Sequence, residues 1–136
     1  MKVVLDTNTV ISGLLWKGAP RQVLDMARGG SIQLFTSPEL LTELANVLVR
    51  EKFSTRLMYA GITTDELVLG YAALARVIRP RPIKPVILAD PDDDHVLACA
   101  RTAKVDRIVS GDSHLLGLKE YNQIRIISSN ELLALL

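Results

Sequence analysis

The chain contains one cysteine, so no disulfide can form within it. Cys99 sits in the apolar stretch Val96–Ala100, which marks it as a core thiol rather than a reactive one. Aromatic residues make up 4% of the composition, and no base-stacking platform for single-stranded nucleic acid is evident among them. No apolar run comes near the roughly 20 residues needed to span a bilayer. The opening residues Lys2-Val3-Val4-Leu5-Asp6 also lack the pattern of a signal peptide, so a cytoplasmic protein with no membrane partner is expected. An excess of either charge is missing as well. Sixteen lysines and arginines stand against fifteen aspartates and glutamates, a formal charge of +1, which excludes a whole-molecule attraction for nucleic acid or anionic lipid. Any function that uses charge must use it locally.

Apolar residues, by contrast, are plentiful. They form 49% of 136 residues, enough for a real core, and the length fits one domain spanning residues 1–136. Short aliphatic or β-branched runs at Val3–Leu5, Ile32–Thr36, Val77–Arg79, Arg107–Val109 and Ile124–Ile127 alternate with longer segments of helical spacing. Val3-Val4-Leu5 and Arg107-Ile108-Val109 lack polar–apolar alternation, as expected of strands covered on both faces. The expected fold class is therefore α/β, a three-layer α/β/α arrangement around a mostly parallel sheet of about five strands. Helices are predicted from Pro20 to Arg28, stopping at Gly29-Gly30, and from Ser37-Pro38 to about Lys52. Thr63 with Glu66 and Ser128 with Glu131 form capping boxes for two more, the first reaching about Arg76. Asp92-Asp93-Asp94 leads a further helix that ends near Lys104, and the proline-rich stretch from Arg79 to Pro85 reads as an extended connector.

In open parallel sheets ligands bind beyond the carboxyl ends of the strands, and two of those positions hold aspartate. Asp6 follows Val3-Val4-Leu5 directly, and Asp112 follows Arg107–Val109 through Ser110-Gly111. Asp94 starts the helix before the Asp112 strand, at the same rim. Glu43 lies about one turn into its helix, between Leu40 and Val47, and so borders the buried stripe. Glu39 is its competitor, on a first turn where acids commonly complement the helix dipole. Two carboxylates about 4 Å apart repel by about 4 kcal/mol at an effective dielectric near 20, and no lysine or arginine adjoins Asp6 or Asp94 in sequence. A hard divalent cation such as Mg²⁺ or Mn²⁺ suits an oxygen-rich site of this kind, which has no cysteine or histidine ligand set.

Four segments now share a pattern: Val4-Leu5-Asp6-Thr7-Asn8, Ser37-Pro38-Glu39-Leu40-Leu41-Thr42-Glu43-Leu44, Asp90-Pro91-Asp92-Asp93-Asp94-His95-Val96-Leu97-Ala98 and Ser110-Gly111-Asp112-Ser113-His114-Leu115-Leu116. In their order the chain resembles the PIN domain family, in particular the VapC-like toxin components of prokaryotic toxin–antitoxin pairs. The resemblance implies a metal-dependent endoribonuclease that cleaves single-stranded RNA and uses Mg²⁺ or Mn²⁺. It also implies a homodimer or higher oligomer, and an antitoxin protein as partner. Carried over residue by residue, it places the catalytic and metal-binding acids at Asp6, Glu43, Asp94 and Asp112, supported by Asn8, Asp93 and Ser110. Asp94 is preferred to its two neighbours because Val96-Leu97-Ala98 follows it in the family's register.

Plainer readings stand beside these. The aspartates at 92–94 could cap a helix, Asp112 could cap the segment Ser113–Leu116, and a helical glutamate is usually just solvated. His95 and His114 read as surface or packing residues, because a metal-activated water needs no histidine base. Arg21, Arg50, Lys52, Arg56, Arg79, Arg81 and Lys84 could meet phosphates, though most read as solvated surface. Trp16 fits either the core or an exposed partner patch. Two other functions remain open. Asp6-Thr7-Asn8-Thr9-Val10 resembles the nucleophile loop of haloacid dehalogenase-type phosphotransferases, but with Asn8 and Val10 where that loop has a second acid and a threonine. A non-catalytic module that binds RNA or protein would keep the fold without the chemistry.

Overall fold

The computed structural model describes residues 1–136. In chain order the elements are β1 (Lys2–Leu5), α1 (Thr7–Leu15), α2 (Ala19–Arg28), β2 (Gln33–Thr36), α3 (Pro38–Leu48), α4 (Glu51–Ala60), α5 (Thr64–Leu74), β3 (Arg76–Val77), α6 (Asp93–Ala103), β4 (Arg107–Val109), α7 (Ser113–Leu118), β5 (Glu120–Tyr121), β6 (Ile124–Ile127) and α8 (Ser129–Leu135). The strands form one sheet in the order β3-β2-β1-β4-β6-β5. Every pairing is parallel except β5 with β6. The chain is thus the expected α/β fold with a mostly parallel sheet.

Alternation along the central strands sorts the core into two layers. Val3, Leu5, Leu34 and Val109 face one apolar cluster, completed by Val10, Ile11 and Leu15 of α1, Val23 and Leu24 of α2, Leu44 and Leu48 of α3, and Leu132 of α8. Val4, Phe35 and Ile108 face the other, where Val96, Leu97, Cys99 and Ala100 of α6 and Leu115 of α7 cover the sheet. Burying both faces explains why β1 and β4 are nearly continuous runs of aliphatic residues. Cys99 has no solvent exposure, and burial pushes its thiol up to about 12, which makes it an inert core residue.

Three elements differ from the sequence expectation. The sheet has six strands rather than about five, because Asn122 and Gln123, with φ of 51° and 69°, turn β5 tightly back onto β6. That left-handed pair suits a short hairpin, but it lacks the glycine that would advertise one. The helix expected to run from Pro38 to about Lys52 is two helices, broken at Val49-Arg50, where Arg50 is extended and starts α4. Finally, Thr7–Leu15 is helical, although no element was expected there. Its threonines, Val10 and Ile11 have weak helix propensity, and tertiary burial together with an Asp6 cap overrides it.

The α1–α2 contact depends on a missing side chain. A Cβ at Gly13 would lie 2.7 Å from Leu24 Cδ1 and 2.9 Å from the Pro20 carbonyl oxygen. Gly13→Ala should therefore destabilise the protein by about 1–3 kcal/mol, read as a lower denaturation midpoint, despite alanine's better helix propensity.

Candidate functional site

β1 and β4 are adjacent and parallel, so their carboxyl ends deliver Asp6 and Ser110 side by side. The Asp6 N–H continues the sheet by donating to the Val109 carbonyl at 3.1 Å, which fixes where its side chain starts. Oδ1 of Asp6 accepts the Thr9 N–H at 2.9 Å and caps α1, while Oδ2 accepts a short hydrogen bond from the Ser110 hydroxyl. The same Ser110 oxygen accepts the Asp112 N–H at 2.9 Å. Ser110, 1% exposed, therefore couples the two strand-end aspartates. Ser110→Ala should cost about 1–3 kcal/mol in denaturant melts, because it removes a donor from a buried carboxylate and an acceptor from the Asp112 N–H.

Asp112 caps α7, with Oδ1 accepting the N–H groups of His114 at 2.8 Å and Leu115 at 3.2 Å. The capping role considered from sequence is thus real, and it leaves Oδ2 unused by these bonds. Across from it stands Asp93, the first residue of α6. Oxygens of Asp93 and Asp112 and a ring nitrogen of His114 all lie within 4.8 Å of one another. The Asp93 carboxyl is pushed up to about 7, first by burial and then by the negative charges of Asp112, Asp90 and Asp6. Its Oδ2 is buried with no hydrogen-bond partner.

Asp94 has a different environment. Its carboxylate accepts the Val86 N–H at 3.2 Å and the Ile87 N–H at 3.0 Å, which fastens the end of the proline-rich connector to α6. Successive helical residues point about 100° apart, so Asp93 and Asp94 cannot both face Asp112. The register argument preferred Asp94; the geometry brings Asp93, not Asp94, to Asp6 and Asp112.

Glu43 approaches from α3, half-buried as its place beside Leu44 and Val47 suggested. Burial raises its carboxyl above the usual range; the adjacent Thr7 hydroxyl tempers this, Asp92 and Asp90 add to it, and His95 opposes it. The Thr7 hydroxyl is itself buried without a completed hydrogen bond. Asp6 is raised too, by burial above all, against the lowering effect of its bonds from Ser110 and Thr9. Clefts flank the acids on two sides. One, about 490 Å³, is lined by Glu43, Asp92, His95, Asn46 and Arg50; the other, about 600 Å³, by Asn8, Ser110, Asp112, Ser128 and Asn130.

No lysine or arginine pairs with these acids; the only ion pair among them is the weak one from His114 to Asp112 at 3.6 Å. Buried and half-buried, mutually repelling oxygens without a lysine or arginine partner suit a hard divalent ion. Asp90 and His114 were missed from sequence as members of the cluster, the first because Pro91 separates it from the helix, the second because it was read as packing. Two cations considered for substrate are committed elsewhere. Arg21 donates to the carbonyls of Gly13 and Leu14 at 3.1 and 3.0 Å, and Arg56 to that of Leu15 at 2.7 Å, so both close the end of α1. Arg56 also lies over the Trp16 ring, which packs edge-on against Phe53.

The profile of the PIN domain family matches residues 2–114. A protein of Methanocaldococcus jannaschii, described as uncharacterized, is 29% identical over 126 residues, covering 90% of this chain and 78% of its own length.

Proposed function

The chain belongs to the PIN domain family, and from that premise we propose that it is a metal-dependent endoribonuclease, the residues 1–136 acting as one nuclease unit on single-stranded RNA. The observation that carries the reading is the half-buried Asp93 carboxyl, whose Oδ2 has no hydrogen-bond partner and which lies near Asp112 and Asp6 with no lysine or arginine paired to it. Mg²⁺ or Mn²⁺ would be held by Asp6, Asp93 and Asp112, with Glu43 opposite and Asn8 at the rim. When bound, such an ion stabilises charge developing on a phosphodiester and acidifies water within its reach.

The protein's own groups set the stage for that chemistry. Ser110 holds the Asp6 and Asp112 loops at a fixed separation through its shared hydroxyl. Burial holds the Glu43 carboxyl above its ordinary range, so at the cleft wall it keeps a proton more readily than a solvated glutamate does. Asp94 secures the connector, and so holds the turn that presents Asp93. A haloacid dehalogenase-type reading fits less well, because Asn8 and Val10 stand where that nucleophile loop has a second acid and a threonine.

Labelled single-stranded RNA incubated with the purified protein should be cut with Mn²⁺ and spared with chelator, and Asp6→Asn should lose the cleavage. Cutting that persists in chelator would refute the metal requirement; release of phosphate from a phosphomonoester would favour the phosphotransferase. The toxin role extends the same reading to an antitoxin partner and a homodimer or higher oligomer. Expression should then slow growth unless the partner is co-expressed, and harmless expression of active enzyme would count against it.

A further inference from the structure

A second charged feature lies at the other end of α6, and it stands apart from the nuclease reading. A cavity of about 480 Å³ is lined by seven residues that include Arg81, Arg101, Thr102, Lys104 and Asn122, and by no acid. That volume falls within the roughly 300–1,000 Å³ of small-molecule sites, although this lining is basic rather than apolar. Asp93 opens α6 and Thr102 lies in its last turn, about 14 Å away at 1.5 Å per residue, so the cavity is remote from the acids. Asn122, in the turn that enters β6, belongs to the same far edge of the sheet.

Arg101 and Lys104 alone would be an ordinary complement to the carbonyls ending α6, which carry about half a negative charge. Arg81 is not accounted for in that way. It comes from the connector, held there by its N–H donating to the Thr102 hydroxyl at 2.9 Å. None of the three cations has an ion-pair partner, so the cavity carries a surplus of roughly two to three positive charges. Lys104 is also costly where it stands. It caps α6 with φ 53°, a left-handed conformation that favours glycine, yet the residue there brings a cation to the cavity.

We propose that this cavity binds a phosphate-bearing anion, either a free nucleotide or a phosphate group of an RNA chain. The arginine forks can grip phosphoryl oxygens in pairs, and Lys104 adds a point charge beside them.

Isotope-labelled protein kept metal-free with chelator tests this without any cleavage, so its outcome is separable from that of the nuclease assay. AMP, pyrophosphate and a short oligouridylate would be titrated while the amide resonances of Thr102, Lys104 and Asn122 are followed. Saturable shifts at these residues are expected, weakening with salt and by about tenfold or more in Arg81→Glu and Arg101→Glu. AMP binding as tightly as the oligomer identifies a free nucleotide as the source; tighter oligomer binding identifies the RNA chain. Lys104→Gly should weaken binding while raising the thermal midpoint, a combination that a purely structural cap residue would not produce. Absence of saturable shifts with all three probes, or charge-reversed variants that bind like wild type, would overturn the assignment.

Discussion

Asp93→Asn is expected to reduce RNA cleavage by at least about a hundredfold while raising the thermal midpoint of the metal-free protein at pH 8. Asp94→Ala should show the opposite balance, with a clear loss of stability and a smaller loss of activity. The difference follows from what each carboxylate touches. Asp93 has a buried oxygen with no donor and three acids around it, so its charge is a burden to the empty fold. Asparagine keeps the shape and removes that burden together with a ligand. Asp94 satisfies two backbone N–H groups of the connector, and removing a charged acceptor of this kind costs about 1.5–3 kcal/mol. Single-turnover cleavage rates and melting curves on the two variants decide the matter. An Asp93→Asn enzyme that cuts at the wild-type rate, beside an Asp94→Ala enzyme that folds normally and does not cut, would return the role to Asp94.

The Asp93–Asp94 pair also marks how far the sequence could be read. Order and strand ends were legible because they follow from one-dimensional facts: an aliphatic run, then an acid, repeated at Asp6 and Asp112. The consequence of parallel neighbours, that such positions converge, needs only the right-handed crossover rule of α/β folds. Which aspartate of three faces inward depends on a helical phase of about 100° per residue, and a boundary uncertain by one residue rotates the answer away. Asp92 starts α6 in helical conformation without a side-chain cap, so nothing local in the sequence marks the first turn. α1 was illegible for a related reason. Its β-branched residues argue for a strand, and the helix exists because Asp6 caps it and Val10, Ile11 and Leu15 find the sheet. Likewise, Arg21 and Arg56 looked like free cations until the end of α1 supplied carbonyls for them.

Without metal, the protein should lose stability as pH rises between about 4 and about 7, and a divalent ion should reverse that trend. Asp93 ionises near 3.8 in the unfolded chain and near 7 in the folded one, so between these values the folded state binds more protons. Each upward step in pH then favours unfolding, and the loss levels off once the folded group has titrated. Asp6 and Glu43 are shifted in the same direction, which adds to the slope rather than cancelling it. A bound cation requires the ionised carboxylates, so it binds better as pH rises and stabilises the folded state by mass action. At a hundred times its Kd that amounts to about 2.7 kcal/mol, or roughly ten degrees in Tm for a domain of this size. Melting curves at several pH values, with chelator and with Mn²⁺, should therefore diverge as pH rises. If the chelated protein instead became steadily more stable toward pH 8, or if Mn²⁺ left Tm unmoved there, the acids would not form the strained, ion-seeking cluster on which the nuclease reading depends.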